Sequence, residues 1–344
     1  MRKIKREQTK RLVLGLVVFA AAVALGMPIG VHAQAGEECR TRDRIWSGLW
    51  AGANFDFSSI GECKYRSGDS AQQPQDQQAH PAPTTQSAPS LPHTQQSGLY
   101  VGLGDSVAAG AGLPLAAQPV NNDVVCRISP QAYPALVASG LGRSYINSAC
   151  SGATAGDLVT KQRVNGPNIA AQLDTAYVYG VPAVVSITAG ANDVRWADFI
   201  RKCFGSECGT RFDDTASRTL IAAMRVKLEY ALADIQRRSG EQPPVVVLTG
   251  YYNPLSFACA SQTTAINSDE INWLNGQVDA MNAAIQSAAS KYPFARYVPV
   301  DFSGHELCTA EPWIQGQGET APFHPTARGQ YAIAEAVLNS LRVK

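Results

Sequence analysis

The sequence is poor in charge and shows no excess of either sign. Of 344 residues, 17% are charged, and 29 Lys and Arg nearly balance 28 Asp and Glu, for a formal net charge of +1. Binding a phosphate backbone requires a basic patch; none is evident, which argues against a nucleic-acid partner. Cys-x-x-Cys does not occur, and none of the five histidines stands at ligand spacing beside a cysteine. A metal site or a catalytic thiol therefore has no support. No internal repeat is present. Gly102 and Gly104 follow a strand-like run, but Val107 stands where a dinucleotide-binding fingerprint needs its third glycine.

The charge that exists is unevenly placed. Residues 1–11 hold Arg2, Lys3, Lys5, Arg6, Lys10 and Arg11 against Glu7, a net +5, and the rest of the chain stands at −4. The apolar run LVLGLVVFAAAVALG follows, then Pro28 and the small residues Ala33 and Ala35. This order is that of a secretory signal peptide over residues 1–35. The competing reading is an uncleaved membrane anchor, because apolar character continues to Val31 and about 20 apolar residues span a bilayer.

In an exported chain the eight cysteines are expected as disulfides. Proximity pairs Cys39 with Cys63, Cys126 with Cys150, Cys203 with Cys208 and Cys259 with Cys308, with the connectivity left open by sequence. Residues 67–97 turn to Gln, Pro, Ser, Thr and Ala and read as a disordered linker, in which His80 and His93 are solvated. Before it, residues 36–66 form a small Cys-containing segment with Trp46, Trp50, Phe55 and Phe57, of unassigned purpose. The main domain is expected at 98–344.

From Leu99 on, short apolar runs alternate with helical stretches, the pattern of a parallel sheet covered by helices on both faces. The strand candidates are residues 99–103, 144–148, 183–188, 245–249 and 296–300. An amphipathic helix is expected from about Asp213 to Arg238, with Leu220, Met224, Leu228, Leu232 and Ile235 on one stripe and Gly240 past its end. Another should start at Pro325 and carry Ile333, Ala336, Val337 and Leu341 inward.

The first strand runs into Gly104-Asp105-Ser106, which places a serine at a strand's carboxyl end, where ligands bind in open parallel sheets. The second strand ends in a loop containing Gly152, whose backbone N–H can approach a ligand unobstructed, and the third in Ala189-Gly190-Ala191-Asn192, which offers an amide. Taken singly, either loop is an ordinary strand-to-helix turn. Phe323-His324-Pro325 stands before the last helix, so His324 projects beside the sheet. A serine hydroxyl is scarcely ionised at neutral pH, and a histidine is the neighbour that takes its proton during attack on an ester. The resulting oxyanion needs preorganised donors, each worth about 2.7–4 kcal/mol.

In chain order Ser106, Gly152, Asn192 and His324, together with Gly304-His305-Glu306-Leu307-Cys308, the segment from about 98 to 344 resembles the SGNH, or GDSL-type, hydrolases, and within them the secreted bacterial lipases and esterases. That resemblance implies an α/β fold, a three-layer α/β/α sandwich with a flavodoxin-like, mainly parallel five-stranded sheet. It also implies ester hydrolysis with Ser106 and His324 catalytic, an oxyanion hole from Ser106, Gly152 and Asn192, and no cofactor. The expected substrate is an ester or lipid, with no obligate protein partner evident.

One position departs from the family's Asp-x-x-His pattern, because Ala321 stands where the acid would be. A backbone carbonyl can orient the imidazole instead, so the expectation is a Ser106-His324 dyad assisted by the carbonyl of Ala321, with Glu319, Glu311 and Asp301 as weaker alternatives. Asp105 is expected to orient the nucleophile loop, and His305 to be a structural hydrogen-bonder. Asp193 and Arg195 read as exposed helix-start residues, and Trp196 and Trp313 as core aromatics or acyl-pocket walls. The rival functions are a carbohydrate O-deacetylase and a catalytically silent surface-binding module.

Overall fold

The computed structural model describes residues 98–163 and 168–342. The expected leader, Cys39-Cys63 segment and linker lie outside these residues. Five parallel strands, β1 (Tyr100–Gly104), β2 (Tyr145–Asn147), β3 (Val184–Thr188), β4 (Val245–Thr249) and β5 (Ala295–Val298), form one sheet in the order β2-β1-β3-β4-β5. This is the flavodoxin-like order, in which direction of winding reverses between β1 and β3 and a crevice opens at their carboxyl ends. Every residue of β1 and of β3 is buried, so these strands read as continuous apolar runs rather than as alternations.

The helices that position the site are α1 (Ser106–Ala109), α2 (Tyr133–Leu141), α3 (Trp196–Gly205), α4 (Arg211–Ser239), α5 (Ser268–Ala289) and α6 (Ala327–Arg342). α4 packs with α5, and α6 with α2, on the two faces of the sheet, giving the three layers. α4 starts two residues before Asp213. Thr210 caps it, accepting from the Asp213 N–H at 3.3 Å, while the Asp213 carboxylate accepts from the Thr210 N–H at 3.1 Å. Ile221, Met224, Leu228, Leu232 and Ile235 are buried along it, and Leu220 packs at their margin. α6 begins at Ala327 rather than at Pro325, because Pro325 is held in an extended bridge with Ile314 and the Thr326 N–H is taken by the Trp313 carbonyl at 2.8 Å.

Three of the expected disulfides are formed, Cys126–Cys150, Cys203–Cys208 and Cys259–Cys308. Cys39 and Cys63 lie outside the described residues.

Candidate active site

β1 delivers Ser106, the candidate nucleophile. Its last residue, Gly104, is pinned edge-on by the buried amide of Gln172, which accepts from the Gly104 N–H at 2.7 Å and donates to its carbonyl at 2.8 Å. Asp105 then caps α1, its Oδ1 accepting from the Val107 N–H at 2.9 Å, so that Ser106 opens the helix. As expected of a residue shaping this loop, Asp105 is buried, and its other oxygen accepts from the Tyr251 hydroxyl at 2.5 Å. Burial pushes the Asp105 carboxyl up to about 7, although the bonds from Tyr251 and Val107 favour its charged form. The same Tyr251 hydroxyl accepts from the Ala191 N–H at 3.0 Å, which ties the nucleophile turn to the loop after β3.

The candidate base, His324, arrives from the far end of the chain. His324 Nε2 lies 2.7 Å from Ser106 Oγ, and its Nδ1 lies 3.0 Å from the carbonyl oxygen of Pro322. A carbonyl only accepts, so Nδ1 carries the hydrogen and Nε2 presents its lone pair to the serine hydroxyl. The orienting carbonyl is thus Pro322, one residue beyond the expected Ala321, whose own carbonyl accepts the His324 backbone N–H at 3.2 Å. Phe323, between Pro322 and His324, stands in the left-handed region with φ of 65°, a turn that accompanies the approach of the Pro322 carbonyl to the ring.

Burial holds the His324 pKa below its ordinary value, against the carbonyls of Pro322 and Ala321, which favour the charged ring; the charge of Arg127 adds to the lowering. The three carboxylates considered as substitutes are engaged elsewhere. Glu319 accepts from the Gly316 N–H, Glu311 pairs with Arg328 at 3.3 Å, and Asp301 accepts from Ser303 at 2.8 and 2.5 Å.

Two candidate oxyanion donors lie in the loops after β2 and β3, and Asn192 lines the same cavity as Ser106. Asn192 gives one amide hydrogen to the Ala153 carbonyl at 2.8 Å and keeps its second. Gly152 sits at φ of 83° in a turn closed by Ala153 N–H to Cys150 O at 3.0 Å. Among the described residues, neither the Ser106 N–H nor the Gly152 N–H has a protein acceptor. Asp193 is not the exposed helix-start residue that the sequence suggests. It is buried and joins these loops, accepting from the Ala155 N–H at 2.7 Å and from Lys227 Nζ at 3.0 Å. Arg195 is the residue before α3, at its N-cap, and pairs with Asp198.

A cavity of about 410 Å³ opens beside the Ser106–His324 pair, walled by Trp196, Ile200, Phe204, Tyr252, Pro254 and Phe323. Its predominantly apolar wall suits an acyl chain, and its size lies within the range of small-molecule sites, about 300–1,000 Å³. Of the two tryptophans expected as candidate walls, Trp196 lines it. Trp313 instead stacks on His305 with ring centroids 3.7 Å apart, and His305 Nδ1 lies 2.8 Å from the Glu311 carbonyl, a structural role for both. Sequence reasoning missed Gln172, Tyr251 and Pro322. Tyr251 carried one weak signal, its place just past the carboxyl end of β4; the other two carried none.

A serine and a histidine in contact at the carboxyl edge of a parallel sheet, beside an apolar cavity, define an α/β/α carboxylic ester hydrolase. The model of the GDSL-like Lipase/Acylhydrolase family matches residues 103–332, and the chain belongs to that family. It is 32% identical to a lipase of Streptomyces rimosus over 250 residues, covering 70% of this chain and 85% of the relative. Lipase 1 of Streptomyces coelicolor is 29% identical over the same length, with the same coverage. Among solved structures, the extracellular lipase of Streptomyces rimosus superposes with a TM-score of 0.57 at 26% identity, covering 71% of this chain and 98% of that one. Phospholipase A1 of Streptomyces albidoflavus NA297 gives 0.54 at 27% identity, covering 72% and 99%.

Proposed function

We propose that the protein is a secreted lipase or esterase that works through a Ser106-His324 dyad and an acyl-enzyme. The observation that carries this reading is the 2.7 Å contact between Ser106 Oγ and His324 Nε2 beside an apolar cavity. Ser106 Oγ attacks the ester carbonyl carbon while its proton passes to Nε2, and the Pro322 carbonyl holds the Nδ1–H of the resulting imidazolium. The N–H groups of Ser106 and Gly152 and the spare amide hydrogen of Asn192 receive the oxyanion. Collapse expels the alcohol, which leaves with the proton from Nε2. Water, deprotonated by the same nitrogen, then hydrolyses the acyl-enzyme and frees the acid.

The apolar cavity takes the acyl chain, so the reading favours chains longer than acetyl and makes deacetylation of carbohydrates the lesser alternative. The relatives' own descriptions as lipases and a phospholipase A1 agree with this. Export is supported by the leader-like first 35 residues and the three disulfides, and no helix among the described residues is long and apolar enough to cross a membrane.

The test is turnover of p-nitrophenyl esters from acetate to palmitate by the wild type and Ser106→Ala. The expected result is kcat/KM that rises beyond acetate and falls in the variant by up to the order of 10⁶-fold, as on removing the serine of a protease. Hydrolysis unchanged in the variant would contradict the mechanism, and a preference confined to acetyl groups would favour the deacetylase.

A further inference from the structure

We propose that Gln315 is a positioning residue of the catalytic pair, locking the nucleophile loop and the base loop into one unit where no carboxylate stands behind His324. This rests on the reading that Ser106 and His324 act together.

Gln315 is buried, and both its backbone and its side chain hold the base loop. Its N–H donates to the His324 carbonyl at 2.7 Å, and its carbonyl accepts from the Phe323 N–H at 2.8 Å. The side-chain oxygen accepts from the Ala321 N–H at 3.3 Å, and one hydrogen of Nε2 goes to the Pro325 carbonyl at 3.0 Å. The other hydrogen crosses to the nucleophile loop, to the Ala111 carbonyl at 3.0 Å. Ala111 in turn donates its N–H to the Ser106 carbonyl at 3.0 Å, so one residue separates Gln315 from the nucleophile's own backbone. Two carbonyls and one N–H around the amide fix its orientation, since only the NH2 end can donate.

The nucleophile loop is shaped to receive this side chain. Gly112 sits at φ of 88°, and a Cβ there would lie 2.2 Å from Gln315 Oε1 and 2.5 Å from Nε2. The absent Cβ is the notch that the amide fills. A single buried amide thereby sets the relative position of two loops 204 residues apart in sequence, and it does so at the distance on which proton transfer from Ser106 depends.

A second buried glutamine supplies the comparison. Gln330 donates to the Val107 carbonyl at 2.9 Å and accepts from the Tyr133 N–H at 2.7 Å, bracing the nucleophile helix without touching the base loop. In the full-length protein, Gln315→Met keeps the length of the side chain and removes its donors and acceptor. With active sites titrated by a p-nitrophenyl phosphonate, kcat per site should fall about 10- to 100-fold, the scale of a misplacement near 1 Å, with KM within about twofold. Gln330→Met should chiefly lower the melting temperature and the titratable fraction. Gly112→Ala should fall in kcat like Gln315→Met, and the double variant should be no worse than the poorer single, the mark of one shared interaction.

If Gln315→Met does not accumulate, Gln315→Leu, which loses both donors and the acceptor, is read in the same way. Wild-type kcat per site in either variant, or additive losses in the double variant, would overturn the proposal. Ser106→Ala, compared per mole of protein, separates the two failures: wild-type turnover there would remove the dyad reading itself, whereas its loss beside an unaffected Gln315→Met would remove only the role of Gln315.

Discussion

His324 has to be neutral to take a proton, and burial lowers its pKa below the ordinary 6.5. The acid limb of kcat/KM is therefore expected below pH 6.5, measured on a soluble ester across pH 4 to 9; a limb above that value would contradict the buried, carbonyl-oriented ring. The same shift affects stability. The unfolded chain binds the proton more readily, so this contribution is present above 6.5 and is lost as pH falls through the lowered value. Asp105 acts with the opposite sign: its carboxyl, raised from 3.8 to about 7, favours the fold at low pH and loses that contribution as pH rises through this window. The contact between Ser106 and His324 was legible because motifs with fixed residue types mark both positions. The orienting carbonyl was legible only as a kind of group. Its shift from Ala321 to Pro322 accompanies the left-handed backbone of Phe323, a conformation that nothing in a phenylalanine announces.

Among the elements, strands were read well because a largely buried parallel strand is a short, mostly apolar run bounded by turn residues, as β1, β3 and β4 are. Helix starts were read less well. Pro325 suits a first turn locally, yet its bridge to Ile314 ties it to a segment that sequence does not place beside it. α5 was not singled out, because its buried stripe of Ile271, Leu274, Val278, Met281 and Ile285 is diluted by Asn, Gln, Ala and Gly276. The disulfides join elements that the sheet alone leaves loose: Cys126–Cys150 anchors the loop of Gly152, where the Ser151 N–H also donates to the Cys126 carbonyl at 3.0 Å. With its ends 24 positions apart in sequence, breaking this link by Cys126→Ser with Cys150→Ser should cost about 3.5 kcal/mol on the loop-entropy model. Denaturant unfolding checks this, and if Gly152 serves the proposed oxyanion site, kcat should fall as well. Unchanged stability and rate would show that the Gly152 loop holds itself.

For the whole molecule, the order β2-β1-β3-β4-β5 explains why residues from four distant parts of the chain meet. The crevice at the winding reversal collects the loops after β1 and β3, β2 adds Gly152 alongside, and the crossover to α6 brings His324 over the top. The composition and strand pattern made this architecture legible, and the four ordered blocks made the family legible. The cavity was not, since its walls come from α3, the loop after β4 and the base loop, which approach one another only in the folded state. The central claim is that this assembly runs as a dyad without a carboxylate, and covalent labelling tests it most directly. The full-length wild type, His324→Ala and Glu319→Gln would be treated with a p-nitrophenyl phosphonate and the adduct mapped by peptide mass. A single adduct on Ser106 is expected, formed at nearly the same rate in wild type and Glu319→Gln and suppressed in His324→Ala. An adduct elsewhere, or a Glu319→Gln rate as low as that of His324→Ala, would contradict the account.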